Sequence, residues 1–477
     1  MATENYGIYG ELIQSLAATP VSTETKIIFI GACASGDLNK AHEIASFADY
    51  ATRLGGAVDD GYNLTEAAIA AFNVVGLGGV VMIPVSHSTT FNAADYVGDG
   101  VSTGASAIVR YLAANPTAVV LVCAPSITNA TALAAVKAAC KKADGHWDSV
   151  LVYDTDIPSG AVDANNVFVD ADAVLKAVSD EQAICCLGKC KTDGAAVISM
   201  AAVRCCLMAR ADAGYGVPAR SGGNLAIQGM SAWGMIGTAP ETVTFENCTG
   251  EVAGTTYYVK DKDGNYVTFG YDKNDAVGAS PQYPGATVEK NISGSQRWAL
   301  RPASGSISGT FTFTVTYSAP AFVPVDIPEA RSTELSANGV CAIVNYSGTF
   351  YTWGDHTSAF SNGAVSDERA RFDNTIRMQL MITNRFQMKY RTSVDAPMTL
   401  QMRDDVINEE LDFLASLVAI GALIGEPVCE FSPLDNSADG VAQGQFVWRI
   451  ADTPTIPFKY GNLKVAYTQA GLSVYMQ

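Results

Sequence analysis

Histidine is scarce in this chain, with four in 477 residues: His42, His87, His146 and His356. Acid–base and metal chemistry near neutral pH lean on histidine, so few places are left for either. Positive charge is also short. Lys and Arg total 30 against 48 Asp and Glu, a formal net charge of −18. A phosphate backbone is bound by clustered bases, which argues against nucleic acid as a partner. Long apolar runs are missing too. The longest, from Phe413 to Ile424, is too short to cross a bilayer and follows an acidic turn, so it reads as a buried helix. The opening Met1-Ala-Thr-Glu-Asn-Tyr-Gly has neither the basic nor the apolar region of a signal peptide. The expectation is a protein made and kept in a reducing cytoplasm.

Several chemical signatures are absent in the same way. The eleven cysteines are odd in number and include the doublets Cys185-Cys186 and Cys205-Cys206, which does not suggest a disulfide framework. The group Cys185, Cys186, Cys190, Cys205 and Cys206 lacks the paired C-x2-C spacing of a zinc site. All five lie in apolar runs and read as reduced core residues. Lys26 to Asp37 is a strand followed by a turn with Gly31 and Gly36. It has neither the G-x-G-x-x-G of a dinucleotide site nor the Lys-Ser/Thr of a P-loop. Ser86-His87-Ser88 has no elbow motif around it. Asp261 to Asp272 imitates a calcium loop, but Gly264 falls two places early and strands flank it, so a β-turn is the reading. The expectation is no catalytic residue, no cofactor and no metal: not an enzyme.

What the chain does contain is organisation. Its length argues for two or three domains. Residues 1–20 are polar and end at Pro20, like an arm without a core of its own. From Lys26, apolar strands at Lys26–Ile30, Val80–Pro84, Ala118–Cys123, Ser149–Tyr153 and Ala183–Leu187 alternate with helical stretches. Asn63-Leu-Thr-Glu66 resembles a capping box, and Ser126 or Thr128 is placed to open an Ala-rich helix. Near-continuous apolar strands between helices predict a largely parallel sheet covered on both faces.

Composition shifts near Gly237. Residues 238–325 are rich in Thr, Gly, Tyr and Val. A hairpin is predicted around Asp261-Lys-Asp-Gly264, and Thr310–Tyr317 alternates as a strand with one buried face. This segment reads as an inserted β-sandwich, with Pro320–Pro328 as its exit. The α/β character resumes at Gly339–Asn345 and Thr349–Trp353. The fold class predicted is mixed α/β (α+β), multidomain, with an inserted all-β sandwich-like domain and extended terminal arms. Its parts are 1–20 as an arm, 21–237 with 326–461 as the α/β core, 238–325 as the insert, and 462–477 as a C-terminal strand or arm.

The most informative block is 366–468: a basic helix over 366–391, an acidic helix over 402–425, and strands at Gln445–Ile450 and Asn462–Thr468. The basic helix carries six Arg/Lys against three Asp/Glu in an acidic chain. At about 100° per residue, Arg371, Arg377, Arg385 and Lys389 share a sector of roughly 120°. Phe372, Ile376, Phe386 and Tyr390 lie opposite. One face would pack on the core and the basic face would meet a partner; the plainer alternative is a solvated charged face.

In order and spacing this block resembles the C-terminal domain of contractile tail sheath proteins. The likeness extends to Phe47–Gly56 and Gly79–Val85, to Tyr215–Met230, and to Asn338–Tyr346 with Tyr351-Thr-Trp-Gly354. It covers most of 26–236 and 330–468 and leaves 238–325 unmatched. The family continues its Trp-Gly with Arg-Thr, whereas Asp355-His356-Thr357 stands here. The resemblance implies a structural subunit of a helical homopolymer wrapped around an inner tube. Its insert would lie outside and 330–461 would face the tube. Baseplate and tail terminator proteins would be further partners, without nucleic acid or membrane insertion. It would be assembled in a bacterial cytoplasm and contract to drive the tube through a cell envelope, in a phage tail, a bacteriocin or an injection system. Terminal arms would add strands to a neighbour's sheet, with Tyr6, Ile8 and Tyr9 at one end and Leu463, Val465, Tyr467, Leu472 and Val474 at the other. Arg371, Arg377, Arg385 and Lys389 would contact the tube. An α/β enzyme with a β-sandwich appendage and a surface adhesin are the rival classes.

Overall fold

The computed structural model describes residues 24–58, 60–141, 148–253, 256–268, 276–281, 286–290, 297–302, 307–469 and 474. The chain divides into two compact units, Met1–Trp233 with Asp326–Gln477, and Gly234–Val325.

In chain order, the first unit opens with β1 (Thr25–Ala32), β2 (His42–Ile44), α1 (Phe47–Arg53) and α2 (Asn63–Ala68), which runs on as a π-helical turn over Ile69–Val75. Then come β3 (Val80–Ser86), α3 (Ala93–Val97), α4 (Ser106–Ala114), β4 (Val119–Ala124), α5 (Ala130–Cys140), β5 (Val150–Thr155) and β6 (Ala183–Leu187). The hairpin β7 (Lys189–Thr192) and β8 (Val197–Ser199) leads into α6 (Met200–Tyr215) and β9 (Ala226–Ile227). The second unit contains most of β10 (Met230–Ala253), then β11 (Thr256–Lys260), β12 (Ala276–Pro281), β13 (Ala286–Lys290), β14 (Trp298–Pro302) and β15 (Phe311–Pro324). The chain returns through α7 (Glu329–Ala337), β16 (Val340–Tyr346), β17 (Thr349–Trp353), α8 (Asp373–Tyr390), α9 (Leu400–Ala419), β18 (Val428–Glu430), α10 (Ala438–Ala442) and β19 (Arg449–Ala451).

The first unit is built on a nine-stranded sheet in the order β2-β3-β1-β4-β5-β6-β16-β17-β9. From β3 to β16 every neighbour is parallel; β2, β17 and β9 are antiparallel additions. The reason is in the strands. Val119–Ala124, Val150–Thr155 and Ala183–Leu187 are buried at every position, which only a sheet covered on both faces permits. α6 is buried over nearly its whole first three turns. All eleven cysteines are free and buried, as expected for small apolar side chains in such a core.

Three helix starts differ from expectation. Asn63 does not cap α2; its side chain is drawn into tertiary hydrogen bonds instead. The Ala-rich helix begins at Ala130, because the Asn129 side chain, rather than Ser126 or Thr128, accepts from Thr131 and Ala132 N–H. The basic helix also starts later than 366. Residues Glu368–Ala370 form one 3-10 turn, Phe372 is extended, and α8 begins at Asp373. The acidic helix stops at Ala419, ahead of Gly421 at φ +74°, where Ala422 N–H turns back to Leu417 C=O.

In the second unit the strand order is β12-β15-β10-β11-β14-β13. Cys248, Val259, Val267, Trp298, Leu300, Phe311, Phe313 and Val315 form its core. The Asp261–Gly264 turn is closed by Asp261 Oδ1, which accepts from the N–H groups of Asp263 and Asn265.

Candidate functional site: the basic helix and the C-terminal segment

The ligand position of a doubly wound sheet lies outside the carboxyl ends of the strands where the chain reverses direction across the sheet. Here that is between β1 and β4. Asn63 occupies it. Its Oδ1 accepts from Ala32 N–H at 2.6 Å, and its Nδ2 donates to Pro125 C=O at 3.1 Å and Tyr96 Oη at 2.8 Å. A Cβ on Gly31 would come within 2.4 Å of Asn63 Oδ1, so the turn's glycine makes room for this side chain. Nearby, His87 Nδ1 is 3.0 Å from Cys33 C=O, and burial pushes the Cys33 thiol up to about 11. That thiol stays protonated and is a poor nucleophile.

The basic helix proves to be an internal element. At its first turn Asp373, fully buried, accepts from Arg204 Nη2 at 2.7 Å and from Gly222 N–H at 2.9 Å. One turn later Arg377, also buried, donates Nη1 to Asp212 Oδ2 at 2.6 Å and Nη2 to Arg220 C=O at 2.6 Å. Two ion pairs of opposite polarity thus join α6 and α8: Arg204 and Asp212 from one, Asp373 and Arg377 from the other. Burial pushes the Asp212 carboxyl up, while Arg377 and the Thr25 hydroxyl act to hold it down. Asn374 and Asn384 extend the buried polar face, donating to Ala219 and Thr455 C=O and to Ala118 and Asp148 C=O.

The apolar face of α8, with Met378, Met381 and Ile382, packs with Leu414 and Leu417 of α9 and with Val119 of β4. Toward its end the two helices are tied by charge. Buried Glu410 accepts both oxygens' worth of hydrogen bonds from Arg385 Nη1, at 2.9 and 2.7 Å. Lys389 reaches Glu409 at 2.7 Å and Glu410 at 3.4 Å, and Tyr390 Oη donates to Glu409 at 2.9 Å. The Arg385 guanidinium lies 3.6 Å from the Phe413 ring centroid.

The expected open basic face is therefore corrected. Arg377 is buried. Arg385 and Lys389 are largely enclosed against the acidic helix. Arg371 precedes α8 and pairs with Glu368 at 2.5 Å on the surface. The helical wheel placed the four bases in one sector, but a wheel does not say which sector meets the core. The signal that could have found the pairing was adjacent: the acidic helix carries Glu409-Glu410.

The C-terminal segment is the converse. β18 and β19 form a two-stranded sheet by themselves. Thr455 is still fastened, its N–H to Ala422 C=O and its hydroxyl to Gly421 C=O. Beyond it the chain is exposed, and its exposed apolar residues fall in two alternating runs, Ile456, Phe458 and Tyr460, then Leu463, Val465 and Tyr467. The last three are 84, 84 and 82% exposed. The strand expected over Asn462–Thr468 is not formed, since a strand requires a partner and none of the described strands pairs with it. Val474 is exposed as well. Tyr6, Ile8, Tyr9 and Leu472 lie outside the described residues.

No family model and no curated protein matches the chain. Solved structures do. The helical sheath of the anti-feeding prophage (AFP) in its contracted state matches with a TM-score of 0.55 at 13% identity, over 98% of this chain and 99% of that one. The PVC sheath complex of an extracellular contractile injection system, also contracted, gives 0.54 at 14% identity over 99% of both. A chain of the contracted AFP baseplate gives 0.57 at 13% identity, over 98% of this chain and 100% of that one. The chain has the mixed α/β fold of contractile sheath subunits.

Proposed function

We propose that this protein is a structural, non-enzymatic subunit of a contractile sheath, which polymerises helically around an inner tube and contracts to drive it through a target envelope. The observation that carries the reading is that a whole chain, and not one domain, is shared with sheath structures, at 98–99% coverage of this chain and 99% of theirs. Subunits related by rotation and translation form an open helical array, because a heterologous contact that does not close propagates. Contraction then requires no nucleotide. The extended lattice is metastable, and its rearrangement releases energy stored at assembly.

The exposed apolar alternation at 463–467 supports linkage by strand addition. Each backbone hydrogen bond contributes about 0.5–1.5 kcal/mol net, modest for one arm and large over many subunits. A two-stranded sheet such as β18–β19 is marginal alone, and a neighbour's arm from residues 1–20 or 462–477 would extend it. Residues 238–325 would lie on the outside, and part of 330–461 would face the tube. Baseplate and terminator proteins would meet the ends of the array, and assembly would take place in the bacterial cytoplasm. The likenesses to AFP and PVC favour an injection system; a capsid and a terminase among neighbouring genes would place the chain in a phage instead.

Negative-stain microscopy of the purified protein tests the reading. Long hollow helical tubes are expected, and their loss on deleting residues 1–20. A protein that stays monomeric under all conditions with intact termini overturns it.

A further inference from the structure

Where the sheath resemblance has Arg-Thr after Trp-Gly, this chain has Asp355-His356-Thr357, and the fold gives that departure a partner. Asp355 and His356 are 5 and 7% exposed. The His356 ring is stacked on Phe360, centroids 3.8 Å apart, and lies 5.1 Å from Phe372. Its Nδ1 is 2.8 Å from the Arg371 carbonyl oxygen. A carbonyl only accepts, so Nδ1 carries the proton and Nε2 presents a lone pair. Toward that lone pair, at 3.1 Å, points the ammonium of Lys459, which also lies 2.5 Å from Asp355 Oδ1. Asp355 and Lys459 line a cleft of about 400 Å³ together with Glu329, Trp353, Phe458 and Tyr460. Lys459 thus ties the chain to the body immediately before the exposed residues 460–467.

We propose that Asp355 and His356 form a receiver that fixes the root of the C-terminal segment through Lys459, and that protonation of His356 releases it. The proposal rests on the sheath reading only for its purpose, since there the segment links subunits; the anchor itself belongs to the single chain. A proton on Nε2 sets imidazolium against ammonium. It also gives the new N–H an acceptor in Asp355 Oδ1, 3.6 Å away, in competition with Lys459. The lysine loses one acceptor outright and shares the other.

The charged groups around the ring are Asp355 beside it, Lys459 from the C-terminal segment and Asp373 from α8, with Glu329 of α7 lining the cleft. Burial holds the His356 pKa below its ordinary value. Asp355, the Arg371 carbonyl and Asp373 oppose that, and Lys459 reinforces it. A depressed histidine is neutral, and the anchor whole, above the ordinary value of about 6.5. The anchor weakens as pH falls below that value through the folded one.

The test is a nitroxide on Tyr460→Cys in the full chain, since the native cysteines are buried. The label should be immobile at pH 8 and gain a mobile fraction as pH falls below about 6.5, with circular dichroism unchanged. Lys459→Met should be mobile at both pH values. His356→Gln, whose amide oxygen can face Lys459 without titrating, should be immobile at both. A native label that responds no more than the His356→Gln one overturns the proposal, as does a Lys459→Met label as immobile as the native. Should circular dichroism change with pH, the titration of the His356 ring nitrogens decides. Lys459→Met should raise its pKa, and an unchanged value overturns the proposal. Tube formation is not read here, so failure of the sheath reading shows separately, in the microscope.

Discussion

The basic helix and the C-terminal segment both looked like surfaces for a partner, and the fold treats them oppositely. In α8 the bases Arg377, Arg385 and Lys389 meet carboxylates of the same chain, Asp212, Glu410 and Glu409. In the C-terminal segment six apolar residues, in two alternating runs at 456–460 and 463–467, are left exposed by the described residues. Charge density in α8 did not translate into an open basic face, because charges of opposite sign elsewhere in the chain match it. The proposed linkage places an interface at the apolar residues of the C-terminal segment instead, whose side chains are exposed among the described residues.

Substitutions can break this contrast, ranked here by their expected effect on the isolated subunit. Arg377→Ala leaves Asp212 buried without its partner, and should lower the unfolding free energy by about 3–5 kcal/mol. Urea denaturation measures it; a loss below 1 kcal/mol would mean the pair is not the clamp between α6 and α8. Arg385→Glu sets a carboxylate against buried Glu410 while Lys389 remains. A loss of about 1.5–3 kcal/mol is expected, again visible in urea and before any assembly. If that variant were as stable as the parent but failed to form tubes, Arg385 would return as a partner contact. The triple change Leu463→Asp, Val465→Asp and Tyr467→Asp should alter subunit stability by no more than about 0.5 kcal/mol and yet abolish tubes. Tubes at normal yield would remove this segment from the assembly. The least effect is expected from joining Gly234 to Pro324 through an Asn-Gly turn. These residues are already strand partners, and such a turn matches the strand twist. The first unit should keep its thermal midpoint, and its loss would mean that the second unit is not dispensable.

Strands of the central sheet were legible because burial on both faces leaves an uninterrupted apolar run. Ala183–Leu187 agrees at both ends, and Val150–Thr155 begins one residue after its expected start. Helix caps were less so. Asn63 has the chemistry of a cap, but Ala32 N–H and Pro125 C=O compete for the same side chain from across the sheet. Nothing near position 63 in the sequence announces those groups. The candidate site divides along the same line. The apolar alternation at 463–467 follows from local pattern alone, while the burial of Arg377 depends on Asp212, 165 residues away.

The amino-acid order by itself determined the α/β alternation, the composition break near residue 237, the apolar core cysteines and the alternating C-terminal segment. Each is a short-range pattern, set by periods of two or 3.6 residues and by side-chain polarity. Tertiary structure alone decided which charges stayed available. An ion pair forms between residues that the sheet brings within about 4 Å, whatever their separation along the chain. It therefore decided that the basic helix would be spent on the acidic one, and that Lys459 would hold the root of the segment left open.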